Sequence, residues 1–236
     1  VAALLVLGTP AWAVPLEDAA DPGWEFKFTP SVYLTTNQRT AADVNLRASH
    51  GDHTVWLGHY RREGEFEQTR TGYEYAAELA VGRLVSSLQL ASHGFAGGSI
   101  NAELGGKVFG LLGYGRTNAR DYYNLNFDPN DSALYGLGLR LPDETTMNAY
   151  VIRDNRLHTE QQVGHLVWRH RPDPQHRWTA DLFAKRGRAT PEDDRVSGTG
   201  LSLTYDFDRR FVRAAWDPKV NFSHDDQLRL SFGIRF

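Results

Sequence analysis

The stretch Gln227–Phe236, QLRLSFGIRF, alternates without a break. Leu228, Leu230, Phe232, Ile234 and Phe236 fall on one parity; Gln227, Arg229, Ser231, Gly233 and Arg235 fall on the other. Successive side chains of a strand point to opposite faces. The segment therefore has a wholly apolar face, and a polar face that carries two arginines.

The same period of two recurs along the chain. WEFKFTPSVYL sets Trp24, Phe26, Phe28, Pro30, Val32 and Leu34 against Glu25, Lys27, Thr29, Ser31 and Tyr33, and DVNLRA sets Val44, Leu46 and Ala48 against Asp43, Asn45 and Arg47. GYEYAAEL and SINAEL repeat it. A period of two over this many segments predicts strands, and no sustained helical stripe competes with it. The pattern predicts about fourteen strands, near 24–36, 41–49, 53–61, 69–79, 82–92, 98–105, 107–115, 132–141, 145–153, 161–170, 177–186, 195–206, 210–217 and 226–236. Those near 53–61, 107–115, 145–153 and 161–170 alternate less cleanly, which leaves twelve as the alternative. Segments of about ten residues parted by turns fit an all-β, antiparallel transmembrane β-barrel.

The connections test this independently. With the first strand running outward, the predicted periplasmic turns are HGD, AVG, GGK, PDE, RPDPQH and DFDR, tight and rich in Gly, Asp or Pro. The predicted external loops are longer: REGEFEQ, SHGFAGG, GRTNARDYYNLNFDPNDS, DNRLHTEQ, RGRATPEDDRV and DPKVNFSHDD. Short turns alternating with long loops are the barrel's expected connectivity. The aromatics also divide. Trp24, Trp168, Trp178, Tyr205 and Phe236 fall toward the periplasmic ends; Tyr60, Tyr73, Tyr114, Tyr135 and Trp216 are expected at the external ends. Amphipathic rings suit both interfaces. A secreted sandwich shares the alternation and turns but gives no reason for rings at both strand ends.

At the other end, VAALLVLGTPAWAVPLED has an apolar run closing on Ala11-Trp12-Ala13. Residues 1–13 are expected to be the remnant of a secretory signal peptide, and 14–236 a single barrel domain. The run is too short to span a bilayer, and Pro10 and Pro15 would break a helix. The chain has no cysteine, so an exported domain here gains nothing from disulfides. A net charge of -3 gives no argument for nucleic acid. Mean hydropathy is -0.49, and no apolar run beyond the leader has the length of a membrane helix.

The terminal strand resembles that of bacterial outer-membrane β-barrel proteins of porin type. Phe236 stands at the end, with Ile234, Phe232 and Leu230 at alternate positions before it. The resemblance implies that these four residues form the signal read by the barrel-assembly machinery. It also implies integral location in a Gram-negative outer membrane, among its lipid and lipopolysaccharide.

With the apolar parity facing lipid, the other parity lines a lumen. That set includes Lys27, Arg47, Arg140, Lys185, Arg213, Arg229 and Arg235, with Glu25, Asp43, Glu74, Glu78, Glu103, Asp181 and Asp206. A basic side chain on the lipid face costs about 2–4 kcal/mol at mid-bilayer, so the segregation is directed. The signs balance, which fits either a weakly selective polar channel or a filled, salt-bridged interior. Lumen glycines such as Gly136, Gly138, Gly198 and Gly200 remove volume or mark bends.

The longest external loop carries Asn124, Asn126, Asp128, Asn130 and Asp131. Oxygen ligands at this spacing suit a calcium ion or a polar sugar or lipopolysaccharide group, whereas a capped turn uses the same residues. The turn is the expectation, with no metal and no cofactor. A third option is a loop folded into the lumen, because Tyr122, Tyr123 and Phe127 need cover. Catalysis needs a nucleophile within reach of a base. Ser92 and His93 are adjacent on a strand and point apart, and nothing in the sequence pairs either with His59 or His165. The expected function is a passive channel for small polar solutes; a lipid-modifying enzyme (deacylase- or phospholipase-like) and a non-conducting structural barrel are the alternatives.

Overall fold

The computed structural model describes residues 23–126 and 128–236; the leader expected over 1–13 lies outside them. From β1 (Glu25–Thr35) the chain passes through β2 (Ala41–His50), β3 (His53–Arg62), β4 (Phe66–Leu79) and β5 (Gly82–Ala91). It continues as β6 (Phe95–Gly105), β7 (Val108–Thr117), β8 (Ser132–Arg140), β9 (Thr145–Asp154) and β10 (Gln162–Asp173). The last four are β11 (His176–Gly187), β12 (Val196–Phe207), β13 (Arg210–Asp217) and β14 (Gln227–Arg235). Each strand pairs antiparallel with the next, and β14 pairs with β1 from Lys27↔Arg235 to Thr35↔Gln227. The result is a closed barrel of fourteen strands, the larger of the two expected counts, with no unpaired sheet edge.

The strands form where the sequence alternates, and the reason lies in the two faces. Leu88, Leu137, Ile100 and Leu203 stand on the outer face and are exposed, whereas Asp43, Glu74, Lys185 and Asp206 point inward and are buried. This inverts the usual arrangement of apolar inside and charged outside.

One end of the barrel, the turn end, carries Glu25 and Phe236 and has tight connections at 51–52, 80–81, 106–107, 141–144, 174–175 and 208–209. At the first, Gly51 has a φ of 54°, which suits glycine. The opposite, loop end carries the longer segments 118–131, 155–161, 188–195 and 218–226. Two of the expected loops are shorter than their sequences suggested. Phe66–Leu79 and Phe95–Gly105 extend further, leaving only 63–65 and 92–94 as connections. In both cases the polar residues expected in a loop are the inward or rim positions of a longer strand.

Ten rings were assigned to the two interfaces, and two are placed otherwise. Tyr60 points inward and is fully buried. Tyr73 lies toward the turn end, where its hydroxyl meets His53 Nδ1 at 2.7 Å. At the turn end Trp178 stacks on Tyr205 at 4.2 Å, and Phe26 on Phe236 at 5.7 Å.

Candidate functional site

The inner wall is built partly from aromatic rings that the alternation did not single out. Trp56, Phe109, Phe183 and Phe211 all point inward and are buried. Each sits directly opposite a glycine on the neighbouring strand: Trp56↔Gly72, Phe109↔Gly138, Phe183↔Gly200 and Phe211↔Gly233. A Cβ on any of these glycines would run into the ring. The glycines therefore give the rings room to lie across the strand beside them, so at Gly138 and Gly200 removal of volume serves packing.

Charged heads rest on the exposed sides of these rings. Arg140 lies over Phe109 at 4.0 Å, Lys185 over Phe183 at 5.7 Å, and Lys27 over Phe211 at 4.7 Å. Such contacts add to the ion pairs that Arg140 and Lys185 make with Glu103 and Asp217.

At the loop end the barrel is filled. Segment 118–131 folds inward and crosses the mouth. Its two ends are tied by Asp131, which accepts from Thr117 N–H at 3.1 Å and Thr117 Oγ1 at 2.6 Å and lies 3.2 Å from Arg156. Gln68 of β4 then holds Tyr123 as a strand would. Its Oε1 accepts from Tyr123 N–H at 3.0 Å, and its Nε2 donates to Tyr123 O at 3.1 Å. The Tyr123 hydroxyl accepts from Arg62 of β3 and Gln227 of β14, both at 3.2 Å, and its ring stacks on Tyr60 at 5.0 Å. Arg229 donates to Leu125 O at 3.0 Å. Tyr122 packs on Phe95 at 4.4 Å and takes a hydrogen bond from Gln89 at 2.8 Å. Across the lumen, His165 of β10 lies between Asp128 of the loop, at 2.8 Å, and Asp181 of β11, at 3.0 Å.

The loop is thus anchored to both sides of the barrel. Segment 218–226 adds to the filling: Phe222 joins Val163, Phe183 and Val196 in one buried cluster. Lys185 pairs with Asp217 and donates to Lys219 O at 3.3 Å.

Toward the turn end, by contrast, the inner residues of β1 and β2 retain contact with solvent. Along β1 the inward positions pass from exposed Glu25 through half-buried Lys27 and Thr29 to buried Ser31, Tyr33 and Thr35. On β2, Asp43 is buried whereas Asn45, Arg47 and Ser49 are half-buried. Along β1 and β2 the interior is therefore a wet vestibule at the turn end, and it is a packed constriction at the loop end.

The residues assigned to the lumen all lie on the inward parity of their strands. Arg47 pairs with Glu74 at 2.5 Å, Arg83 with Glu78 at 3.3 Å, and Arg140 with Glu103. Asp206 receives both Arg177, at 3.1 Å, and Arg235. Among the described residues Arg213 meets Thr204 Oγ1, at 3.0 Å, and the Phe211 ring, at 5.8 Å, and Lys27 meets the Phe211 ring, at 4.7 Å.

Of the candidate binding residues in segment 118–131, Asp128 and Asp131 face His165, Thr117 and Arg156 on the barrel wall and loop rim, whereas Asn124, Asn126 and Asn130 bond within the segment. Asn124 Nδ2 donates to Asp128 O at 2.5 Å and Asn130 Oδ1 at 3.0 Å, and Asn124 Oδ1 accepts from Asn126 N–H at 2.8 Å. These contacts are those of a capped turn. Among the described residues no cluster of acidic and histidine side chains is arranged to hold a metal ion. Ser92 lies in a 3-10 turn, and its Oγ accepts from Thr69 N–H at 3.2 Å. His59 bonds Thr69 Oγ1 at 2.9 Å, and His165 is held by two aspartates inside the barrel. Among the described residues no hydrogen bond joins Ser92 to His93, His59 or His165.

No protein-family model matches the sequence, and no curated protein matches it. Among solved structures the chain is similar to the Acinetobacter baumannii outer membrane protein Omp33, with a TM-score of 0.57 at 8% identity over 92% of this chain and 100% of that one. It is also similar to a mutant of the Rhodopseudomonas blastica porin, with a TM-score of 0.50 at 8% identity over 91% of this chain and 99% of that one. The shared property is the fold: this chain is a porin-like β-barrel.

Proposed function

We propose that the protein is an integral barrel of a Gram-negative outer membrane and acts as a passive channel for small polar solutes. One observation carries the reading: the closed barrel is apolar outside and charged inside. Outward residues such as Leu137, at 63% exposed, and Leu88, at 65%, would lie in water on a soluble protein. Buried against acyl chains they contribute about 25 cal/mol per Å² of apolar area, and the closed backbone leaves no unpaired strand edge in the hydrocarbon.

Solute entering from the turn end meets the wet vestibule, then the constriction built by segment 118–131. Passage is by diffusion, with the inward charges in place of the water a solute loses. The partners implied are outer-membrane lipid and lipopolysaccharide around the wall. During assembly, Leu230, Phe232, Ile234 and Phe236 present an apolar edge to the insertion machinery.

Planar-bilayer recording tests the proposal. The purified chain should give discrete conductance steps, and shortening segment 118–131 should enlarge them. The packed loop end favours a second reading, a barrel closed by its own loop. Steps seen only after shortening would support that reading, and none in either form would leave a non-conducting structural barrel.

A further inference from the structure

The inward basic residues are not spread evenly around the wall. Arg235, Lys27 and Arg47 lie directly opposite one another across β14, β1 and β2, in the pairs Lys27↔Arg235 and Lys27↔Arg47. Like charges facing each other across adjacent strands destabilise a sheet. Three in a row are therefore a cost, which Glu74 offsets at Arg47 and Asp206 at Arg235.

The cluster extends to β13, with the Phe211 ring at its centre. Lys27 Nζ lies 4.7 Å, Arg235 Cζ 5.4 Å and Arg213 Cζ 5.8 Å from the ring centroid. Phe211 is fixed in turn by Gly233, directly opposite on β14. The carboxylates at hand are already engaged. Asp206 serves Arg235 and Arg177, and Glu74 serves Arg47. Glu25 stands exposed at the rim. Among the described residues Lys27 and Arg213 have no carboxylate within ion-pair distance, and both are half-buried in the vestibule wall.

We propose that this cluster is a binding site for a solute bearing two or more anionic groups, carboxylate or phosphate. Lys27 and Arg213 supply the uncompensated charge, Arg235 is shared with Asp206, and Arg47 stands beside them. A single small anion would answer one head; a diphosphate or dicarboxylate spans heads gathered around one ring. Charge-assisted hydrogen bonds from guanidinium and ammonium donors are the strong kind, and a ring of basic side chains is how pores favour anions. The inference rests on the channel reading for its route of entry, but its test does not.

Inorganic pyrophosphate is titrated calorimetrically into the full chain in detergent at low salt. Saturable binding is expected. The double variant Lys27→Gln/Arg213→Gln should weaken it by at least about tenfold, a change of 1.4 kcal/mol. Lys107→Gln, in the 106–107 turn, should leave it unchanged. Lys27→Gln alone breaks no ion pair and keeps the test alive should the double variant not fold; a weakening of about threefold is expected from one lost charge.

No binding by the wild-type chain, or equal binding by the folded variants, overturns the inference. In bilayers, a reversal potential favouring chloride that moves toward potassium in the variants supports it. Conductance steps without pyrophosphate binding defeat the anion site alone, and pyrophosphate binding without steps defeats the channel alone.

Discussion

At the residue scale, four aromatic–glycine pairs decide how the inner wall packs, and Phe211 with Gly233 is the one beside the basic cluster. The Phe211 ring occupies the space where a Cβ on residue 233 would lie. Gly233→Ala therefore forces the ring off its seat and away from Lys27, Arg213 and Arg235. Overpacking of this kind costs about 1–3 kcal/mol. The urea midpoint of the lipid-reconstituted barrel should fall accordingly. In a Phe211→Leu background the same alanine should cost much less, and equal costs in both would show that the pair is not coupled.

Asp226, in segment 218–226, gives a pH dependence. Its carboxylate accepts from Lys219 N–H at 3.0 Å, which with Lys219 Nζ holds it below the ordinary carboxylate value of 3.8. A lowered folded pKa means that this contact stabilises the loop above the ordinary value and is lost as pH falls through the lowered one. Hydrogen-exchange protection of 218–226 should hold from neutral pH to pH ~5 and drop only in stronger acid. Asp226→Asn should show less protection at neutral pH, with the acid step removed.

At the scale of elements, the least regular strands in the sequence are those with rings or aliphatic groups on both faces. β3 turns Trp56 and Tyr60 inward, β7 Phe109 and Leu111, β9 Ile152, and β10 Val163 and Val167. Alternation fades there because the inner face packs against a loop or a neighbouring glycine rather than water. By contrast β1, β2 and the turn-end part of β14 face the vestibule, and their polar parity is clean. The inward fold of segment 118–131 had one visible signal, the rings Tyr122, Tyr123 and Phe127 in a largely polar loop. Its partners were not visible, because Gln68, Arg62, Gln227 and His165 come from four strands that only the closed register brings together.

Tyr123 is the residue on which that loop turns. Tyr123→Ala removes the hydroxyl that Arg62 and Gln227 share and the stack on Tyr60. Single-channel traces of this variant should show larger or flickering steps. His165→Ala, which releases Asp128 from the opposite wall, should act in the same direction. Unaltered conductance in both would mean that the loop does not set the narrowest point.

At the scale of the whole molecule, the fold follows from one inversion applied fourteen times. Strand number, order and closure were legible because a period of two fixes which face each residue takes, and a slip by one residue would carry the inward charges to the outer face. Adjacent residues of β12 test the inversion directly. Leu203 faces outward at 47% exposed, and Ser202 faces inward opposite Asp181. Leu203→Arg places a charge against acyl chains near mid-strand and should cost about 2–4 kcal/mol. Ser202→Arg adds the same side chain one residue away, where Asp181 can answer it, and should leave stability nearly unchanged. Unfolding from lipid vesicles compares the two. Equal losses would mean that the outer face does not meet hydrocarbon, and the membrane reading would then fall with the channel that depends on it.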